Sequence, residues 1–257
     1  MSALRRGLLA ALLLLAPAAA RAAELVVAAA SDLKFAMDEL IADFQKRTPE
    51  AVVKVSYGSS GNFFAQLQQQ APFDLFFSAD FEYPRRLEAE GHALASTTFV
   101  YAVGRLAVWV PRASPVDLDA QGLRALLAPE IRKIAIANPR HAPYGRAAEA
   151  ALRHFGIYES VQPKLVLGEN VAQAAQFAQS GAADAALIAH SLALAPAMQA
   201  EGRFREVPVA SYPRMEQGGV ILKWTEQPKL ARAFRDFVQG AHGRAILRRW
   251  GFFLPGE

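Results

Sequence analysis

The chain contains no cysteine among its 257 residues. Disulfide bonds, thiolate nucleophiles and cysteine-ligated metals are therefore excluded, and no cysteine could carry a lipid after export. The sequence also has no internal repeat, no low-complexity tract and no long run of like charge. These absences favour an ordinary globular protein, long enough for one large or two modest domains.

Long apolar runs are lacking as well, apart from one near the beginning of the chain. Two arginines precede the apolar residues 7–15, and Ala20-Arg21-Ala22 provides the small-x-small pattern of a signal peptidase site. We predict a cleaved signal peptide at residues 1–22, because a membrane span needs roughly 18 apolar residues or more. The pattern indicates an exported protein, which we expect in a periplasm.

An excess of basic charge is the third absence. The whole chain has 28 Lys and Arg residues and 24 Asp and Glu residues, a formal net charge of +4. Arg5, Arg6 and Arg21 lie within the predicted signal peptide, which leaves 25 basic residues against the same 24 acidic ones. This balance gives no reason to predict nucleic-acid binding, and we expect none.

The clearest pattern that is present is a strand followed directly by a helix. Apolar residues fill positions 25–30, and Ser31 or Asp32 is predicted to cap the helix that follows. Such a turn directs unpaired N–H groups and the positive end of the helix dipole at one small space, which suits an anion. An ordinary strand–helix unit with a capping serine is the alternative. The apolar residues at helical spacing are Leu33, Ala36, Met37, Leu40, Ile41 and Phe44.

Strand-like and helix-like segments alternate along the chain, which predicts an α/β fold with largely parallel sheets. Ligands of such sheets bind beyond the carboxyl ends of the strands. Two suitable strand-to-helix turns precede the strand near residue 105 and two follow it, so all four could meet at one cleft between two lobes. The turns contain Ser31, Ser59-Ser60, Tyr144-Gly145 and Asn170-Val171.

Several of these segments, in their order and spacing, resemble the periplasmic molybdate-binding proteins of ABC transporters. They are residues 28–31, 58–60, 74–80, 138–145, 169–171 and 243–252. The resemblance covers essentially the whole chain after residue 22. It implies a two-lobed type II periplasmic-binding fold, in which each lobe is a mostly parallel sheet flanked by helices. Residues 23–103 with 210–257 would form lobe 1, and residues 104–209 would form lobe 2.

The resemblance also implies a site for a tetrahedral oxyanion in the cleft. The serine hydroxyls of Ser31 and Ser60, with Ser59 as a weaker candidate, and the backbone N–H groups of Tyr144 and Val171 would hold the ion. The protein would make no direct bond to the metal of the oxyanion, and no cofactor is implied.

One position departs from the family pattern, and one residue beside the site carries a negative charge. Many members have a tyrosine after the strand at 185–189, where this chain has Ala189-His190, so we expect the hydroxyl of Tyr144 to compensate. Asp32 is predicted to face away from the ion, because a carboxylate would repel it.

We interpret the chain as a monomeric receptor that captures molybdate and tungstate and delivers them to the permease and ATPase subunits of an ABC transporter. It would perform no chemistry. A sulfate- or phosphate-type receptor on the same fold is one alternative. A secreted serine hydrolase is another, because residues 58–61 nearly spell a nucleophile elbow, with Asp184 and His190 as nominal acid and base. Arg140, His141 and Arg146 are predicted to be solvated surface residues.

Overall fold

The computed structural model describes residues 23–257, so the predicted signal peptide lies outside the described residues. Within that range, no helix combines the length and apolar character needed to cross a bilayer. Ten strands in this part of the chain form two sheets. They are β1 (Ala23–Ala30), β2 (Ala51–Gly58), β3 (Leu75–Ser78), β4 (Phe99–Gly104), β5 (Leu106–Pro111), β6 (Ile134–Ala137), β7 (Leu165–Gly168), β8 (Ala185–Ala189), β9 (Gly202–Glu206) and β10 (Met215–Ile221).

Eleven α-helices flank the sheets in the described part of the chain. Most follow a strand directly, as the alternating sequence pattern predicts. They are α1 (Lys34–Arg47), α2 (Ser60–Gln68), α3 (Glu82–Ala89), α4 (Leu118–Gln121), α5 (Pro143–His154), α6 (Tyr158–Val161), α7 (Val171–Gln179), α8 (His190–Ala193), α9 (Pro196–Glu201), α10 (Pro228–Gln239) and α11 (Ala241–Arg249). Short 3₁₀ turns cover Ser31–Leu33, Gly122–Leu127, Gln162–Lys164 and Val209–Ser211.

The two sheets have the same plan. Their strand orders are β2-β1-β3-β10-β4 and β7-β6-β8-β5-β9. In the first sheet β2, β1 and β3 are parallel, and β10 runs antiparallel to both of its neighbours. In the second sheet β7, β6 and β8 are parallel, and β5 is the reversed strand. The α/β fold with two lobes is therefore confirmed, with one reversed strand inside each sheet.

The reversed strands are those that follow a crossing between the sheets. Only Arg105 separates β4 in the first sheet from β5 in the second, and residues 207–214 lead back from β9 to β10. The strand β4 was not predicted, because it and β5 form one nearly continuous apolar stretch in the sequence. The crossings lie beside the predicted lobe limits at 103/104 and 209/210, which stay predictions.

Helices cover both faces of the first sheet, so its strands are apolar on both sides. Phe77 of β3 packs in a cluster with Leu40 of α1 and Phe234 of α10, whereas the adjacent Phe76 packs with Phe63 of α2 on the opposite face. This is the two-residue alternation of a strand. The second sheet has a continuous core of its own. The packing fixes the positions of the strand ends, where the turns begin.

Candidate functional site

Four strand-to-helix turns meet at one small cavity between the two sheets. The volume of the cavity is about 10 Å³, on the order of the space that one water molecule needs. All four predicted site residues, Ser31, Ser60, Tyr144 and Val171, are among those that line it. The complete lining is Ala30, Ser31, Asp32, Gly58, Ser59, Ser60, Ala79, Ala142, Pro143, Tyr144 and Val171. The structure thus brings these four residues together, while their contact with an anion stays a prediction.

The first sheet contributes two hydroxyl groups to this cavity. Ser31 follows β1 and Ser60 follows β2, and their exposed fractions are 2% and 0%. Ser31 Oγ accepts the N–H of Ala172 at 3.3 Å, and Ser60 Oγ accepts the N–H of Ala79 at 2.9 Å. Because each oxygen already accepts a hydrogen bond, its own hydrogen remains to be donated, and residues 23–257 provide no acceptor for it.

The second sheet contributes backbone groups at the start of two helices. Tyr144 follows β6 in the first turn of α5, and Val171 follows β7 as the first residue of α7. The first turn of a helix has no intrahelical acceptor for its N–H groups, and neither residue donates outside its own helix in the described chain. Asn170 caps α7 by accepting the N–H of Gln173 at 3.0 Å. Two positive helix ends therefore face the cavity.

The capping role predicted for Ser31 or Asp32 is wrong. The 3₁₀ turn Ser31–Leu33 precedes α1, and no side-chain hydrogen bond caps the turn or the helix. Ser60 is the first residue of α2, and that helix also lacks a side-chain cap. The side chains of Ser31, Asp32 and Ser60 therefore form no capping hydrogen bonds.

The prediction that Asp32 faces away from the ion is also wrong, since Asp32 lines the cavity with an exposed fraction of 1%. Its Oδ2 accepts a hydrogen bond from Gln217 Nε2 at 2.6 Å. Its Oδ1 is buried and has no hydrogen-bond partner among the described residues. Burial raises the pKa of Asp32 to about 6, although the amide of Gln217 and the neighbouring hydroxyl of Tyr144 act in the opposite direction. The 3₁₀ turn and the amide donor explain why the carboxyl group points inwards.

Gln217 on β10 was not recognised in the sequence, and it holds this part of the site together. It is 0% exposed, and its Nε2 donates to the hydroxyl of Tyr144 at 3.2 Å as well as to Asp32. Its Oε1 accepts from the hydroxyl of Tyr101 at 2.9 Å. A Cβ at Gly104 would lie 2.5 Å from both Gln217 Nε2 and the Tyr144 oxygen, so only glycine fits there. An amide next to two glycines in a largely apolar strand was the available signal.

The hydroxyl of Tyr144 lies in this network beside Asp32. Burial, and then the charge of Asp32, raise the pKa of Tyr144 well above its ordinary value, so the phenol stays protonated. Compensation by Tyr144 for the family tyrosine stays a prediction.

His190, at the position of the family tyrosine, lies outside the cavity lining. Its Nδ1 is 2.6 Å from Arg105 Nη2, and its Nε2 is 3.5 Å from a carboxylate oxygen of Glu206. Burial and the charge of Arg105 lower the pKa of His190. The adjacent Ser191 donates to the backbone carbonyl of Asp32 at 2.7 Å. This segment therefore supports the crossing at Arg105 and the turn behind the cavity.

A hydrolase triad is not assembled in the described structure. Asp184 accepts the N–H groups of Arg132 and Lys133, both at 2.8 Å, and shares no hydrogen bond with His190 or Ser60. Within residues 23–257, no group of three His, Asp or Glu side chains could hold a metal ion.

The rim of the cavity carries contacts between the two lobes. Ser59 Oγ is 2.9 Å from His141 Nδ1, and the N–H of Gly61 donates to the His141 carbonyl at 2.9 Å. Arg146 is 2.6 Å from Asp80 across the cleft. The prediction that His141 is a solvated loop residue is therefore wrong, because it is half-buried in this closed cleft.

Arg140 and Arg146, the other two residues predicted to lie at the surface, are partly or fully exposed. Arg140 is exposed, and its backbone N–H donates to the side chain of Asn138 at 3.1 Å. Arg146 is 41% exposed in spite of its ion pair.

Comparison with known proteins shows the family of this chain. A family model described as "Bacterial extracellular solute-binding protein" matches residues 25–253. The chain is 35% identical to a molybdate-binding protein ModA of Rhodobacter capsulatus over 90% of its own length and 88% of that protein. It is 36% identical to the ModA of Azotobacter vinelandii over 91% of each.

A solved structure supports the same assignment. The periplasmic molybdate-binding protein of Azotobacter vinelandii superposes with a TM-score of 0.84 at 34% identity, covering 90% of this chain and 99% of that one. The fold is thus the two-lobed type II fold that the resemblance implied. The chain belongs to the family of bacterial extracellular solute-binding proteins, and its relatives include molybdate-binding proteins, one of them named as periplasmic.

Proposed function

We propose that this protein is a periplasmic receptor that binds molybdate in the cavity between its lobes. The observation that carries the proposal is the set of four convergent donors: the hydroxyls of Ser31 and Ser60 and the N–H groups of Tyr144 and Val171. These four donors suit a fully deprotonated oxyanion, which offers only acceptors. The names of the relatives support molybdate as that ion.

Tungstate should bind as molybdate does, because it is a tetrahedral dianion of nearly the same size. Sulfate has the same charge and is smaller, so it would leave some donors underpaired in a closed cavity. Each underpaired donor costs about 1–3 kcal/mol, so two of them separate the ions by more than roughly 30-fold in affinity.

We further propose that the receptor acts as a monomer without catalysis and delivers its ion to the permease and ATPase subunits of an ABC transporter. Membership of the extracellular solute-binding family supports this role. No lining residue of the described cavity is a lysine, arginine or histidine. Neutral hydrogen-bond donors and helix ends would therefore carry the recognition.

Calorimetric titration of residues 23–257 with molybdate, tungstate, sulfate and phosphate tests the proposal. We expect tight and similar binding of the first two, weaker binding of sulfate and the weakest binding of phosphate. Phosphate that displaces molybdate at comparable concentration would contradict the assignment. Turnover of a panel of simple esters, abolished in Ser60→Ala, would favour the hydrolase instead.

A further inference from the structure

One oxygen of the cavity wall is unsatisfied in the described structure. Asp32 Oδ2 accepts from Gln217, which is itself fixed by hydrogen bonds to Tyr101 and Tyr144, whereas Asp32 Oδ1 is buried without a partner. Buried polar atoms are nearly always hydrogen-bonded, so an unpaired one on a cavity wall points to a ligand as the missing partner.

No positive charge faces this carboxyl group. The groups that influence its charge are Gln217 from β10, Tyr144 from α5 and the backbone of its own turn. Tyr101 from β4 is also close enough for its phenol to be affected by the Asp32 charge. Both phenols stay protonated, because burial raises the pKa of each well above its ordinary value. Ser191 from α8 contacts only the backbone carbonyl of Asp32.

A dianion in the cavity would therefore meet an ionised carboxylate with no cation between them. Such repulsion disfavours either the anion or the charge on Asp32. Protonation removes the repulsion and also turns Oδ1 into a donor.

We propose that Asp32 is a further binding residue of this site, and that the oxyanion binds together with one proton, carried on Asp32 Oδ1 and donated to an anion oxygen. This inference rests on the proposed oxyanion receptor. The proton comes from solvent, Oδ2 keeps its hydrogen bond from Gln217, and no other bond is made or broken.

The same arrangement discriminates between oxyanions. Molybdate, tungstate and sulfate can accept the hydrogen on Oδ1, because they have no hydrogen of their own near neutral pH. Hydrogenphosphate brings an additional hydrogen, which would meet donors on every side of the cavity. A protonated Asp32 would therefore disfavour hydrogenphosphate, whereas an ionised Asp32 could accept the hydrogen that this anion carries.

The test is the number of protons taken up when molybdate binds. Calorimetry at one pH, about 7.5, in buffers of different ionisation enthalpy gives this number directly, and we expect it to be close to one because most of the free Asp32 is ionised there. The dissociation constant should then rise about tenfold per pH unit between about pH 6.5 and 8.5.

Asp32→Asn provides the matched variant. Its amide oxygen can still accept from Gln217 and its NH₂ group can replace the Oδ1–H donor, so we expect tight binding without proton uptake and without pH dependence. Asp119→Asn is the control, because Asp119 is an exposed residue of α4 that pairs with Arg205. It should keep the proton uptake and pH dependence of the unmodified protein.

The outcomes separate this inference from the proposed function. Molybdate binding without proton uptake, or Asp32→Asn with undiminished uptake, would overturn the role of Asp32 and leave the receptor intact. Absence of molybdate binding at every pH would overturn the receptor and this inference together. Phosphate bound in preference to molybdate without proton uptake would show that Asp32 is an ionised acceptor. If Asp32→Asn fails to fold, as judged by circular dichroism, the proton count of the unmodified protein decides.

Discussion

The two lobes line the same cavity with different chemistry. The first lobe presents side chains, namely the hydroxyls of Ser31 and Ser60 and the carboxyl group of Asp32. The second presents backbone N–H groups of Tyr144 and Val171 at helix ends. Side-chain groups can be deleted by ordinary substitutions and can titrate, whereas backbone donors persist through almost any substitution. The two halves should therefore respond differently to mutation and to pH.

The largest effect is expected from removing both hydroxyls of the first lobe. Ser31→Ala combined with Ser60→Ala deletes two donors to a charged ligand, at about 1.5–3 kcal/mol each, so molybdate affinity should fall by roughly 10²- to 10⁴-fold. Calorimetry measures the loss. Ser60→Ala also leaves the Ala79 N–H unpaired, so thermal unfolding must verify that the variant is folded.

Ser59→Ala is the control for that variant, because the hydroxyl of Ser59 is already paired with His141. Its effect on affinity should be much smaller than that of Ser60→Ala alone, for which we expect roughly 10- to 150-fold. Equal affinities of Ser60→Ala and the unmodified protein would mean that the serine hydroxyl is not a ligand.

The titratable group of the first lobe should also affect the stability of the ligand-free protein. Burial raises the pKa of Asp32 from its ordinary 3.8 to about 6, so the folded state retains a proton that the unfolded chain has lost. The contribution of Asp32 to the free energy of unfolding is then most favourable below about pH 4 and falls, by on the order of 3 kcal/mol, as the pH rises through about 6.

Urea denaturation of the unmodified protein and Asp32→Asn across this range isolates that contribution, since other carboxyl groups titrate equally in both. The difference between the two proteins should grow with pH and level off above about pH 7. A difference that stays constant with pH would show that Asp32 keeps an ordinary pKa.

The backbone N–H donors of the second lobe can be tested with a proline substitution. Val171→Pro removes one N–H at the first position of α7, where helices accept proline, and Asn170 already has the extended conformation, φ −151° and ψ 176°, that precedes proline. We expect molybdate affinity to fall by roughly 10- to 150-fold, as for a lost hydroxyl donor. Val171→Ala keeps the N–H and should bind nearly as the unmodified protein does; an equal loss in both variants would assign the effect to packing.

The smallest effect on molybdate affinity is expected from the surface contact between the two lobes. Arg146→Ala breaks the ion pair with Asp80 across the cleft, but the two side chains are 41% and 33% exposed. Exposed pairs contribute about 0.2–1 kcal/mol, so affinity should fall less than roughly fivefold, and less at high salt. Arg153→Ala, which breaks a pair with Glu149 inside the same helix, should leave affinity unchanged.

The sequence was informative where local patterns decide the structure. Strand–helix alternation predicted the fold, and the residues at helix starts predicted the four turns of the cavity. It was uninformative where distant residues decide. The orientation of Asp32 depends on Gln217, which lies 185 positions away in the chain. Similarly, the burial of His141 depends on Ser59 in the other lobe. The local sequence around His141 does not indicate this contact, so His141 was predicted to be solvated.

The strand β4 was missed for a different reason. Its apolar residues continue into β5 with only Arg105 between them, and hydrophobic periodicity does not indicate that a chain leaves one sheet for another. The resemblance to a family supplied the two-lobed arrangement that the local patterns left open.

The position of β10 has a consequence for the order in which the chain can fold. The second sheet is complete once residue 206 is available, because all its strands lie between residues 106 and 206. The first sheet has β10 at its interior, between β3 and β4, and therefore lacks an inner strand until residue 221 has emerged. Gln217, which fixes Asp32, arrives with that strand. A nascent chain can thus complete its second lobe early, but the binding cavity forms only when nearly the whole polypeptide is present.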